Sequence, residues 1–161
     1  MFRANARAPY WKAFSSDEGH TWTDAVQMPT QWSVRPLLTV LPDSGLVVLT
    51  GGRPGINLWA SADGGEEWAR FNIAEKHNEG IKAAGGQEAL LYVPAVVAVN
   101  SSASPMPSPP QSTSYTGAAV AADGTLVISY DRLANGWSGP PGVYGDVDMT
   151  FTMRVRLSVS S

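Results

Sequence analysis

The 161-residue sequence contains no cysteine. Disulfides and thiolate metal sites are therefore excluded, and the redox compartment is left open. Charge is sparse: 16% of residues are charged, and the net charge is -3 with no basic stripe. Nucleic acid is not an expected partner of such a surface. No apolar run approaches the ~20 residues of a membrane-spanning helix. The opening residues, MFRANARAPYWKAF, lack a signal-peptide core and alternate like a strand rather than a transit peptide. No localisation is assigned, and the abrupt strand-like start at Met1 suggests that something upstream is missing. What is plentiful is glycine, at 16 residues, and proline, at 12, beside an ordinary apolar content. That balance favours a turn-rich, all-β protein over a helical bundle, with length enough for one domain and a core.

Short apolar runs recur between turn residues. Residues 7–14, 34–41, 46–50, 56–60, 68–73, 115–122, 125–130 and 149–157 read as strands. Pro42-Asp43-Ser44-Gly45 and Asp123-Gly124 have hairpin-turn chemistry. LTVLPDSGLVVLTGGR and AAVAADGTLVISYDR align as strand, turn, strand and basic end. Two further stretches, SSDEGHTW and SADGGEEW, fit one pattern, S-x-D-x-G-x-x-W. The frame that results is a part unit over 1–33, a complete four-strand unit over 34–73, and three strands over 114–161. Repeats of about 40–50 residues with four strands each are the signature of a β-propeller, and about three blades fit here against the ~4–8 of closed propellers. Residues 74–113 read as an insertion. It begins as a polar, glycine-bearing linker, continues as EALLYVPAVVAV, a strand pair broken at Pro94, and ends over 100–113 as a Ser/Pro-rich exposed or disordered loop.

In each copy of the pattern the residues have mechanical uses. Asp17 and Asp63 accept backbone N–H groups within the turn. Gly19 and Gly65 take positive φ without steric cost. Ser15 and Ser61 bond locally, while Trp22 and Trp68 bury a large ring between units. These residues, with Trp59, read as scaffold and core; the carboxylates have a metal or acid reading as the alternative. His20 falls in a variable box position and His77 in the polar linker. Neither has a partner in spacing, so both read as surface histidines, and no metal or cofactor is expected.

The repeated turn is the Asp box, and the chain resembles the sialidase (neuraminidase) superfamily, whose six-bladed propellers carry such boxes. The resemblance covers nearly all of the chain outside 74–113, and TSYTGAAVAADGTLVISYDRLANGWSGPP looks like the last blade. It implies retaining hydrolysis of a terminal acidic sugar, with arginine forks on the substrate carboxylate and a tyrosine nucleophile. Tyr115 in TSYTG matches the nucleophile. Arg53, before the strand leading into the second box, matches the third arginine. Arg3, a strand before the first box, matches the second, with Arg7 competing for the place. Arg35 in SVRPLL begins an inner strand and faces the funnel, without a secure family counterpart. Trp137 is a loop aromatic that stacks on a sugar or anchors its loop. Asp131 and Arg132 pair with each other or line the funnel. The glutamate assisting the tyrosine, the first arginine and the acid/base aspartate have no match, so catalysis is expected to be incomplete. The alternative is a non-catalytic Asp-box module that binds glycan or protein. Open blade edges further predict self-association.

Overall fold

The computed structural model describes residues 2–3, 9–52, 55–92, 115–132 and 149–159, the first pair by backbone alone. Within them the chain is all-β, with three antiparallel sheets and one short helix. The first sheet runs β1 (Phe2–Arg3), β2 (Tyr10–Lys12), β3 (Val26–Gln27). The second runs β4 (Val34–Val40), β5 (Val47–Gly52), β6 (Ile56–Ser61), β7 (Ala69–Asn72). The third runs β8 (Thr116–Val120), β9 (Leu126–Arg132), β10 (Met149–Val155). In each, consecutive strands are neighbours, and short turns join β4 to β5 and β8 to β9. Gly45, at φ +71°, closes one turn by donating its N–H to Leu41 O at 2.8 Å. Gly124, at φ +75°, does the same onto Ala121 O at 3.0 Å. Only glycine enters this region freely.

The second sheet is the middle layer, so its strands β5 and β6 are buried on both faces rather than alternately. One face packs on the first sheet through Tyr10, Met28, Leu49 and Trp59, with Trp68 against them. The other packs on the third sheet, Val48, Ile56 and Leu58 meeting Leu126, Ile128 and Tyr130. On its far side the third sheet is polar: Ser129, Thr150, Thr152 and Arg154 are exposed.

Two local features set the geometry of β4. Its ladder to β5 shifts register between Val34 and Leu37, so Arg35 and Pro36 together oppose Gly51. This is a bulge, where proline's missing N–H is tolerated. Arg35 sits there at φ +53°. Gly51 is glycine for want of room, because a Cβ there would lie 1.6 Å from Ser33 Oγ. Ser33 is held in turn by Tyr10, whose hydroxyl donates to Ser33 O at 2.7 Å and contacts Ser33 Oγ.

The stretch read as a polar linker is α1 (Ile73–Ala83). Asn72 caps it, its Oδ1 accepting from Ala74 N–H at 3.1 Å and Glu75 N–H at 3.3 Å. Ile73, Ala74 and His77 form its buried stripe. His77 is 5% exposed, not a surface histidine. It lies among Tyr92, Tyr130 and Phe151, ring centroids 4.5–5.8 Å away. Its Nε2 bonds Leu90 O and its Nδ1 bonds Tyr130 Oη, both at 2.9 Å. Because a carbonyl can only accept, Nε2 carries the proton of the neutral ring and the phenol donates to Nδ1. Burial pushes the Tyr130 hydroxyl up to about 12. After α1 a 3-10 turn covers Glu88–Leu90, where the sequence suggests the start of a strand pair. Residues 93–99 of that pair, the 100–113 segment, Arg7, Arg53 and Trp137 lie outside the described residues.

Candidate functional site

Each Asp box lies between the last two strands of its sheet, the first between β2 and β3 and the second between β6 and β7, and both close by the same core bonds. In the first, Ser15 Oγ donates to Asp17 Oδ1 at 2.8 Å and accepts from Gly19 N–H at 2.8 Å. Asp17 also accepts from the Thr21 N–H at 2.8 Å and the Thr21 hydroxyl at 2.5 Å. In the second, Ser61 Oγ donates to Asp63 Oδ1 at 2.6 Å and accepts from Gly65 N–H at 2.7 Å. Asp63 accepts from Glu66 and Glu67 N–H groups at 3.0 Å. Each tryptophan ties back to its box glycine: Trp22 Nε1–H to Gly19 O at 2.9 Å, Trp68 Nε1–H to Gly65 O at 3.0 Å. The Thr21 hydroxyl, then the Thr21 N–H and Ser15, bring the Asp17 carboxyl down to about 2. Ser61 and the Glu67 N–H lower that of Asp63. These carboxylates are engaged in bracing the turn, which leaves them poorly placed to move protons.

The boxes differ in their surroundings. Trp68 is half-buried against the first sheet, as expected of a scaffold ring. Lys12 from β2 reaches over this box, its Nζ donating to Gly65 O at 2.8 Å and pairing with Glu66 Oε2 at 2.7 Å. Trp22, expected in the core, is 62% exposed. Its burial would need a neighbouring sheet on that side, and none of the described residues supplies one. Trp59 is fully buried, and His20 is exposed.

Chemistry of another kind gathers where β4 and β8, the first strands of their sheets, come into contact. The Arg35 guanidinium carbon lies 5.2 Å from the centroid of the Tyr115 ring, within cation–π range. Tyr115 is 42% exposed at the mouth of β8. The β8–β9 ladder ends at Thr116↔Tyr130, so Tyr115 and Asp131 flank its end. Thr116 and, on neighbouring β5, Thr50 carry buried hydroxyls without a hydrogen-bond partner. Of the residues singled out in the sequence, Arg35 and Tyr115 are thus brought together, with Asp131 at the same end of the sheet. Arg3 pairs with Tyr10 in the first sheet, and its side chain is outside the described residues, as is that of Arg132.

Elsewhere, a cleft of about 450 Å³ runs along Trp68, Phe71, Leu46 and Leu157. Among the described residues no group of three or more His, Asp or Glu assembles as a metal-ligand set, and no helix is long and apolar enough to cross a membrane. No family model, curated protein or solved structure matches the chain.

Proposed function

We propose that this chain is part of a sialidase-like β-propeller, and that the Arg35–Tyr115 corner is its site for the carboxylate and anomeric carbon of a terminal acidic sugar. One observation carries the reading: a guanidinium over the ring of the tyrosine that matches the family nucleophile. Guanidinium stays charged at any working pH and presents a flat donor fork to a carboxylate. A phenol beside it approaches an anionic sugar without the repulsion that a carboxylate nucleophile would meet. In that reaction Tyr115 Oη would bond the anomeric carbon as its proton passes to a general base and the leaving-group oxygen takes a proton from a general acid, two groups that this chain does not match. Water then displaces the tyrosine and restores it with retention.

Three further features support the propeller reading. The sheets are sequential meanders, a box joins the last two strands of two of them, and the second sheet is layered between the other two. Arg3 and Arg53 remain the other carboxylate ligands by resemblance, and Trp137 a stacking residue. The chain offers no match for the family's acid/base aspartate or for the glutamate that assists the tyrosine. The expected outcome for the chain alone is therefore binding of N-acetylneuraminic acid without turnover of a fluorogenic sialoside. Loss of binding in Arg35→Ala with a native circular dichroism spectrum supports the site. Binding untouched by both Arg35→Ala and Tyr115→Phe sinks it. The second reading is a non-catalytic glycan-binding module, favoured by box carboxylates that brace their own turns. It gains if supplying further blades in trans leaves turnover absent.

A further inference from the structure

Arg35 reaches the Tyr115 ring from a strained piece of backbone. It sits at φ +53° before Pro36, in the bulge where β4 leaves its ladder to β5. A non-glycine residue stays in that region only while its surroundings hold it there. The side chain supplies little of that hold: Arg35 is exposed, and among the described residues it makes no ion pair. Its direction is therefore set by the chain on either side. On the C-terminal side the ladder resumes at Leu37↔Thr50. On the N-terminal side the segment entering β4 is tied at three points to one residue of the first sheet, Tyr10. Tyr10 O accepts from Met28 N–H at 2.7 Å, and Tyr10 N–H donates to Gln31 O at 2.8 Å. The Tyr10 hydroxyl donates to Ser33 O at 2.7 Å and contacts Ser33 Oγ. The first two bonds are made by backbone atoms of residue 10, whatever its side chain. The last requires the phenol, and it ends two residues before Arg35.

We propose that Tyr10 is a positioning residue for the carboxylate site, its hydroxyl holding Ser33 so that the bulge keeps Arg35 turned toward Tyr115. The proposal rests on the reading of the Arg35–Tyr115 corner as that site. Tyr10, Gln31 and Ser33 are all buried, so water does not compete for these bonds. A Cβ on Gly51 would lie 1.6 Å from Ser33 Oγ and 3.4 Å from Tyr10 Oη. Both hydroxyls thus crowd the residue that Arg35 and Pro36 together oppose. The phenol pins Ser33 against this residue, and Val34 alone joins Ser33 to Arg35. Losing a donor to a buried carbonyl costs an amount of the same order as positive-φ strain. Removing the hydroxyl is therefore enough to let the bulge relax. In an unstrained backbone the Arg35 Cα–Cβ bond points in another direction, and the guanidinium leaves the ring. The corner then draws on all three sheets: the strut from the first, the arginine from the second and the ring at the mouth of the third.

The test uses the whole chain. Tyr10→Phe keeps the buried ring and the backbone bonds and removes only the hydroxyl. The Tyr115 ring current displaces the NMR signals of the Arg35 δ-methylene and ε-NH protons, and Tyr115→Leu gives their values without it. Tyr10→Phe is expected to lose most of that displacement and to weaken N-acetylneuraminic acid binding by about tenfold. Ser33→Ala keeps the carbonyl bond and loses the Oγ contact, so it should fall between wild type and Tyr10→Phe. Ile128→Val loosens the core between the second and third sheets without touching the bulge, and should leave both readouts at wild-type values. Wild-type displacement and affinity in Tyr10→Phe overturn the inference. Should Tyr10→Phe fail to fold, Ser33→Ala decides: partial loss supports the inference and wild-type values overturn it. An equal loss in Ile128→Val overturns it by assigning the effect to general loosening, and so does a wild type without any displacement. A displacement that depends on Tyr10, in a chain that binds no N-acetylneuraminic acid, supports the positioning role and removes the sialoside reading instead.

Discussion

At the scale of single residues, the site depends on a small piece of irregular backbone. Arg35 is held at φ +53° immediately before Pro36, a conformation that costs a non-glycine residue about 1–3 kcal/mol. The bulge that imposes it opposes Gly51, whose missing side chain makes room for Ser33. Ser33 in turn is braced by the buried Tyr10 hydroxyl. A methyl at position 51 has nowhere to go, because the nearest atoms belong to a bonded serine in the core. Gly51→Ala should therefore destabilise the fold by about 1–3 kcal/mol, the usual cost of overpacking. Urea unfolding would show a lower midpoint with an unchanged slope. An unaltered midpoint would mean that Ser33 is free to move. Substitutions at Arg35 carry a related ambiguity: glycine there relaxes the backbone as it removes the charge, whereas alanine keeps the strain.

At the scale of elements, the longer strands were legible, whereas β1, β3 and the helix were not. The alternation over 149–157 marks β10, and the apolar run over 56–60 marks β6, each within a residue or two. Both signals are local, since side-chain period and turn residues lie in the same few positions. The helix α1 has only Ile73, Ala74 and His77 to bury, and the rest of its length reads as solvated linker. What makes His77 a core residue is Tyr92, Tyr130 and Phe151, all distant in the chain. Trp22 and Trp68 show the same limit from the other side, because one motif gives opposite exposures depending on which sheet lies alongside. The Arg35–Tyr115 contact was also out of reach: the sequence nominates each residue but not their meeting. Docking of α1 should depend on the phenol that donates to His77. Tyr130→Phe is expected to lower stability by about 1–3 kcal/mol and to speed amide exchange across 73–83 more than across β5 and β6. Uniform acceleration would mean that the helix opens only with the whole fold.

At the scale of the whole molecule, three turn carboxylates give the fold a common acid limit. Asp17, Asp63 and Asp123 are all held below their ordinary value near 3.8, chiefly by hydroxyl and N–H donors within their turns. A lowered carboxyl contributes stability that is complete above its unfolded value and is lost as pH falls through its folded one. The melting midpoint should therefore be level above about pH 5 and decline between about pH 4 and 2. Tyr130 works in the opposite sense: its stabilisation is complete below its ordinary value of 10.0 and is lost as pH rises toward about 12. A midpoint that falls first near pH 6–7 would instead point to histidine. Finally, the hold of Lys12 on Gly65 and Glu66 bears on how such a chain could grow by gene duplication. The turn belongs to one sheet and its fastener to the sheet before. Copying a sheet with its own turn therefore copies the socket without the plug. Each added unit inherits such a fastener only if its predecessor carries a cation on the strand that enters its own box, as Lys12 does on β2.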